Sequence, residues 1–471
     1  MKKVVIVGGG IAGLSTAWFL SEAAKARGIQ IGITLVEREN RLGGLIQTIH
    51  RDGCLMEAGP DAFLSEKPAA ADLCRSIGLE TELIPTNPEF RRSFFVWGKK
   101  LHPVPEGFYL LAPTSWRALW WTPLLTWRGK LRAAMEWVIP ADWSGTDCSV
   151  ADFVRRRFGA ELLERIAQPM VGGIYTADLE KLSVQAALPK FYAMEQQAGS
   201  VCRALFRKAK TEQADKASGP RYSLFLSLRG GMEQLIERLS GVLQCVESLL
   251  GSGIERLEFS AAGWKATLAD QRTINADAVC LAIPANAAAV LVRPFSADLA
   301  GLLAGIPYES VVTMNLVYRK EDVPAKLNGL GFVVPVAEGN DLVGCSFSSM
   351  KFEGRAPQEQ YLLRAFIGGA FDPKAAERGD ADLSRSVKRW LQKLLGITAE
   401  PQQITIHRLR GSMPQYTVGH RERVEKIKRE QAKIPGFFLT GNSYDGVGIP
   451  DTIEHARKTA QQIMEYLEKA A

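Results

Sequence analysis

Two glycine-spaced stretches near the N-terminus carry the clearest chemistry in the chain. Gly8-Gly9-Gly10-Ile11-Ala12-Gly13 follows the apolar run Val4–Val7 directly and opens a helix expected from Ile11 to about Ala26. In such a turn the first glycine permits a tight bend, the second lets a pyrophosphate approach the backbone, and the third lets the helix pack on the strand. The free N–H groups and the positive end of the helix dipole then face phosphate oxygens. A second expected strand, Ile33–Val36, ends at Glu37. A carboxylate there can accept hydrogen bonds from ribose hydroxyls and would repel a 2′-phosphate. The pattern points to a bound dinucleotide and disfavours NADP. Close behind it, Arg41-Leu42-Gly43-Gly44 offers a basic residue and a glycine pair, which can bring backbone to phosphate oxygens a second time.

Other chemistry is sparse. Gly59-Pro60-Asp61 reads by itself as a proline-containing turn. Near the C-terminus, Leu439-Thr440-Gly441-Asn442 and Gly446-Val447-Gly448-Ile449-Pro450-Asp451 allow close backbone approach, and Pro450 and Asp451 suit the start of a last helix. The N-terminus of that helix would favour negative charge. Seven cysteines and five histidines are scattered, with no zinc spacing, no disulfide framework and no Cys-x-x-Cys pair. No metal site, Ser/His/Asp group or paired carboxylates emerge, so no catalytic acid or base is nominated. His420 could orient a bound group or be a satisfied structural histidine.

The elements that must position these residues follow from periodicity. Val4–Val7 is apolar throughout, as a parallel strand buried on both faces should be. The first 50 residues therefore read as a βαβ beginning. Residues 107–143 hold Trp116, Trp120, Trp121, Trp127, Trp137 and Trp143, interleaved with Arg117, Arg128, Lys130 and Arg132. They read as helical, broken near Pro113, Pro123 and Pro140, and either face a membrane or channel or form the core of a helical unit. Residues 147–206 also read as mostly helical, with Asp147 as a cap. Residues 207–221 contain no large apolar side chain and are expected as a mobile loop. Strands are expected near 224–228, 254–259, 264–268, 278–283, 311–318, 330–335, 342–347 and 361–367. A helix is expected over 380–395, and a final strand and helix at Phe437–Thr440 and Thr452–Leu467.

Length and composition set the frame. At 471 residues the chain suggests two or three domains with ordinary globular composition. The net charge of +7 does not imply nucleic acid, but it fits an acidic small substrate or an anionic membrane surface. No run of about 20 apolar residues suggests a spanning helix, and scattered thiols fit a cytoplasmic protein.

Together the residues resemble a known family. VVIVGGGIAGLSTA (4–17), LVERENRLGGLIQT (35–48), GPDAFL (59–64), LHPVP (101–105), GGIYTADLEKLS (172–183), SMPQYTVGH (412–420) and TGNSYDGVGIPD (440–451) are similar to bacterial oxygen-dependent, FAD-containing protoporphyrinogen and coproporphyrinogen oxidases. The glycine stretches mark only the wider class of amine-oxidase-like flavoproteins, whereas the 172–183 and 412–420 stretches are more specific. The resemblance implies a mixed α/β (α+β) fold in which a Rossmann-type FAD domain is interrupted by a mixed β-sheet substrate domain and a helical domain. The expected boundaries are 1–66, 222–284 and 421–471 for the FAD domain, 67–106 and 285–420 for the substrate domain, and 107–206 for the helical one.

The resemblance also implies site residues and partners. Gly8, Gly10, Ile11, Ala12, Gly13, Glu37, Arg38, Gly43, Gly44, Gly441, Val447, Gly448 and Ile449 would contact FAD. The Gly59, Pro60, Asp61 and Ala62 stretch would pass the flavin, and Ile254 would sit against adenine. Lys67 and Ile174 match substrate positions, and Leu409 stands where relatives carry a tryptophan near the flavin. Arg91 and Arg92 would meet anionic propionates or form a solvated basic pair. The implied reaction turns a porphyrinogen into a porphyrin with O2 as acceptor and H2O2 as by-product. The substrate expected first is coproporphyrinogen III, then protoporphyrinogen IX, while an amine oxidase or carotenoid desaturase remains the wider alternative. A cytoplasmic protein touching the inner membrane face, and a ferrochelatase-type partner, complete the expectation.

Overall fold

The computed structural model describes residues 1–90, 92–105, 107–214, 225–261, 263–339 and 341–469. One layer is a five-stranded parallel sheet in the order Val246–Leu249, Ile31–Val36, Lys2–Val7, Ala278–Leu281, Phe437–Leu439. Its strands come from the beginning, middle and end of the chain. Val4, Val5, Ile6 and Val7 are all buried, because both faces of the sheet are covered. On one face the helices Ile11–Ala26 and Ile449–Lys469 pack together, with Leu14, Leu20, Ile453, Ile463 and Met464 in the shared core. On the other face Trp264 lies fully buried and its Nε1 donates to Pro435 O at 2.9 Å. The helices Ala285–Val292 and Ala297–Ala304 complete this second core.

A seven-stranded mixed sheet forms the next layer, in the order Gln403–Pro414, Tyr308–Arg319, Gln360–Gly368, Gly344–Phe347, Gly331–Val333, Ser93–Trp97, Lys100–Pro103. All pairs are antiparallel except Gly331–Val333 with Ser93–Trp97. Alternation along Tyr308–Arg319 gives the sheet two characters. Val312, Met314, Leu316 and Tyr318 enter a core with Leu383, Val387 and Leu391 of the helix Asp380–Leu395. Thr313 and Asn315 lie on the opposite face and reach the carbonyls of Ala58 and Glu57, as described below. The strand Gln403–Pro414 was not expected from sequence; its core-facing Ile404 and Ile406 give way to arginines at 408 and 410, which blur the alternation.

The region from Trp116 to Ala214 is chiefly helical and surrounds Phe153, Phe158, Ile166 and Phe191. Three expectations are corrected here. Residues 108–113 are not helical: Phe108–Tyr109 pairs with Ala112–Pro113 around Leu110, which adopts φ +55°. Ser149 rather than Asp147 caps the helix Val150–Arg157 by accepting from Asp152 N. The helix Val201–Ala214 runs through the first half of the expected loop, because alanine, lysine, arginine and glutamine are good helix formers. Residues 215–221 of that loop lie outside the described residues.

A fully buried ionic cluster holds these helices together. Arg157 donates to Glu136 and lies 3.4 Å from Glu195. Glu136 also accepts from Ser200 Oγ and the N–H groups of Val201 and Cys202, so it caps the helix that starts there. Arg132 donates to the carbonyls of Arg155, Arg156 and Arg157 and closes the C-terminus of the helix Val150–Arg157. Among the described residues no helix is long and apolar enough to cross a membrane.

Candidate cofactor and active site

The glycine turn is built for contact on one side and packing on the other. A Cβ on Gly8 would lie 2.5 Å from Ala282 O, and one on Gly13 would lie 1.9 Å from Gly8 O. Above Gly10 the space is open, with Gly44 Cα the nearest atom at 3.9 Å. Gly10 and Gly43 form a parallel bridge, and Gly43 N donates to Gly9 O at 2.8 Å. The two glycine stretches read separately in the sequence are therefore one surface. Ile11 is half-buried and Ala12 buried at the head of the helix. Arg41 does not reach outward: its guanidinium donates to the carbonyls of Leu42, Gly44 and Ile46 and pins the second glycine turn.

Glu37 sits at the rim of this surface. Its carboxylate accepts from Gly9 N at 2.7 Å and from Glu39 N at 2.8 Å. The carbonyl of Glu37 accepts from Ser252 N, which brings half-buried Ile254 to the same end of the sheet. Arg38 is exposed and pairs with Glu39.

The stretch Glu57–Ala62 lies beside the second glycine turn and is held from below by the mixed sheet. A Cβ on Gly59 would lie 1.7 Å from Leu45 O. Thr313 Oγ1 donates to Ala58 O at 2.8 Å and Asn315 Nδ2 to Glu57 O at 3.1 Å. Buried Arg364 donates to Gly59 O. The Asp61 carboxylate meets Lys351 Nζ at 2.8 Å and lies 4.0 Å from Arg364, while Asp61 O accepts from Ser227 Oγ. Burial works against ionisation of Asp61, but Lys351 and Arg364 outweigh it and hold its carboxyl below the usual carboxylate range. Burial pushes Glu57 up to about 7 despite hydrogen bonds from Met232 N and Thr48. Pro60 and Ala62 complete this loop, both half-exposed.

The second glycine loop, 440–448, arrives from the other end of the chain. Ser443 Oγ meets Tyr308 OH at 2.6 Å, and Tyr416 OH donates to Asn442 O and accepts from Gly446 N. Val447 packs against the helical core and Ile449 against the first core. The last helix begins at Ile449, three residues earlier than expected, because Pro450 in its first turn needs no N–H partner. Thr440 Oγ1 is buried with no hydrogen-bond partner among the described residues.

The expected substrate residues separate. Lys67 Nζ lies 2.6 Å from Asp451 Oδ1, at the start of the last helix. Arg92 is exposed at the head of Ser93–Trp97, and its carbonyl accepts from Leu330 N. Arg91 lies outside the described residues, as does the side chain of Ile174, whose backbone forms part of the short helix Gly173–Tyr175. Sequence reasoning missed Arg364, Lys351, Thr313 and Asn315. For Thr313, Asn315 and Arg364 the available signal was polar residues interrupting apolar strands, at VVTMNLVY and YLLRAFIGG.

Two layers joined across a glycine-lined surface are matched by a family over residues 11–464, described as flavin containing amine oxidoreductase. The chain belongs to that family. This flavoprotein is 32% identical to the coproporphyrinogen III oxidase of Bacillus subtilis (strain 168), over 99% of this chain and 98% of the relative. It is 30% identical to the coproporphyrinogen III oxidase of Staphylococcus aureus (strain NCTC 8325 / PS 47), over 98% of this chain and 99% of the relative. A crystal structure of a candidate protoporphyrinogen oxidase from Exiguobacterium sp. 255-15 superposes with a TM-score of 0.87 at 32% identity and covers 99% of both chains. The flavoprotein is an oxidoreductase whose cofactor is FAD, in the mixed α/β architecture the sequence implied.

Proposed function

We propose that this flavoprotein oxidises coproporphyrinogen III to coproporphyrin III, with O2 as final acceptor and H2O2 as by-product. The observation that carries the reading is likeness to coproporphyrinogen III oxidases along nearly the whole of both chains. Likeness to the Exiguobacterium protein supports protoporphyrinogen IX as the second substrate to test.

The residues present fit the cofactor. Gly8, Gly10 and Gly13, with Gly43 and Gly44 beside them, would take the pyrophosphate on the open face above Gly10. Ile11 and Ala12 would present helix N–H groups, Glu37 and Arg38 would lie at the ribose, and Ile254 at the adenine. Gly59 to Ala62 and Gly441, Val447, Gly448 and Ile449 would border the ring, where Thr440 Oγ1 has no hydrogen-bond partner among the described residues. When bound, FAD accepts hydride equivalents from the ring, several times before the macrocycle is aromatic.

The protein's own part is position and charge. Thr313, Asn315 and Arg364 fix the carbonyls of Glu57, Ala58 and Gly59. Lys67 balances Asp451 beside a helix N-terminus that would stabilise negative charge on the ring. Arg92 and Arg91 would meet propionates. Ile174 would lie beside the tetrapyrrole.

The reading extends to a surface. Trp121, Trp127, Val138 and Trp143 are 80%, 65%, 76% and 65% exposed, with Arg117 and Arg128 among them. Indole rings beside arginines suit the interface of an anionic bilayer. A cytoplasmic enzyme resting on the inner membrane face, handing its product to a ferrochelatase-type partner, is the corresponding cellular picture.

The test is porphyrin fluorescence in aerobic buffer, with FAD-loaded protein given each porphyrinogen separately. Faster formation of coproporphyrin supports the proposal. Faster protoporphyrin moves the enzyme to the other substrate, and no catalysed fluorescence from either overturns the reading.

A further inference from the structure

Two of the stretches that carry the family resemblance, 172–183 and 412–420, turn out to be neighbours. Leu182 and Thr417 form an antiparallel bridge, Ser183 N donates to Tyr416 O at 2.8 Å, and Val418 N donates to Lys181 O at 2.9 Å. Gln415 Nε2 reaches Tyr175 O at 3.3 Å. Asp147 ties both ends, accepting from Ser183 Oγ and from Gly419 N. Tyr416 and His420 are thereby fixed in the seam, each 1% exposed, with rings stacked 4.0 Å apart.

From that seam both side chains reach the 440–448 loop. Tyr416 OH donates to Asn442 O at 2.6 Å and accepts from Gly446 N at 2.9 Å. His420 Nε2 lies 3.0 Å from Tyr444 O. The carbonyl can only accept, so Nε2 carries the proton. The loop has no helix or strand of its own. These bonds, with Tyr308 on Ser443, therefore give its backbone a defined path.

We infer that Tyr416, with His420 stacked on it, is a positioning residue for the flavin: it sets the shape of the 440–448 loop and carries the placement of the 172–183 segment into it. The inference rests on the proposed contact between that loop and the ring. Neither residue touches reacting atoms. A phenol that both donates to and accepts from one loop fixes its two ends relative to each other, which phenylalanine of the same shape cannot do.

The test is Tyr416→Phe in the FAD-loaded enzyme, which keeps the ring stack and removes the hydroxyl. Hydrogen exchange of the 440–448 amides should quicken by roughly tenfold, the scale of one internal hydrogen bond. With it the flavin's visible spectrum and reduction potential should shift, FAD should dissociate more readily, and kcat should fall with KM little changed. Unchanged exchange overturns the positioning role. Faster exchange with spectrum, potential and FAD affinity all unchanged overturns the loop–flavin contact on which it rests. Should Tyr416→Phe not accumulate as folded protein, the parent enzyme decides: the Gly446 amide, which donates to Tyr416 OH, should exchange slowly within this loop, and a Gly446 amide that exchanges at the rate of a free one overturns the role.

Discussion

Lys67 and Asp451 meet with Nζ 2.6 Å from Oδ1 although 384 residues separate them in the chain. The pair joins the start of the helix Pro68–Ser76 to the first turn of the last helix. Lys67→Met should cost about 1 kcal/mol of stability or less, since the lysine is 42% exposed and solvent screens the pair. The larger effect should be a lower flavin reduction potential, because on the proposed placement of the cofactor an unbalanced carboxylate remains near its ring. Lys67→Met combined with Asp451→Asn should recover most of that shift. Spectroelectrochemical titration of the three variants checks this.

His420 gives a pH dependence with a definite sign. Burial, aided by Arg423 and opposed by the hydrogen bond to Tyr444 O and by Asp445 and Asp147, lowers its pKa from 6.5 to about 4. Above pH 6.5 the imidazole is neutral in both folded and unfolded chain, and its contribution to stability is intact. As pH falls from 6.5 to 4 only the unfolded chain gains the proton, so stability is lost, by about 3 kcal/mol in order of magnitude. Urea unfolding at pH 7 and pH 4 should show His420→Gln losing less on acidification than the parent protein. Equal losses count against the buried neutral histidine.

Arg157 is buried between Glu136 and Glu195. Arg157→Met leaves buried Glu136 without its cation, while Glu195 keeps Arg156, and should destabilise the helical region by roughly 3–5 kcal/mol. Because Glu136 also caps the helix Val201–Ala214, limited proteolysis should open near that helix first. An unaltered melting curve and digestion pattern would show the cluster to be dispensable.

The exposed indoles are tested on vesicles. Parent protein should sediment with vesicles rich in phosphatidylglycerol more than with neutral phosphatidylcholine. Trp121→Ser with Trp127→Ser should lose binding by tenfold or more, about 1.4 kcal/mol, without change in thermal stability, since both rings are exposed. Binding that survives the double change places the contact elsewhere.

Sequence by itself determined the glycine-lined turn between the first strand and the first helix. A missing Cβ at Gly8 and Gly13, between an apolar strand and a helix, is a local requirement, so residues 4–37 could be read almost element by element. The long strands and helices of regular period were legible for the same reason. It also carried the stretches that mark the family, though not what they do. The helix through 207–214 was missed because the expectation weighed burial alone and neglected propensity.

Only the tertiary structure decided where charge and hydroxyl groups act. Lys67 faces Asp451, Arg364 holds Gly59, and Tyr416 reaches both Asn442 and Gly446. Each pairing closes a separation that no periodicity records, and each polar group could have had other partners. Which partner it takes follows from how the two sheets and the helical region stack, a property of the assembled cores rather than of any one segment.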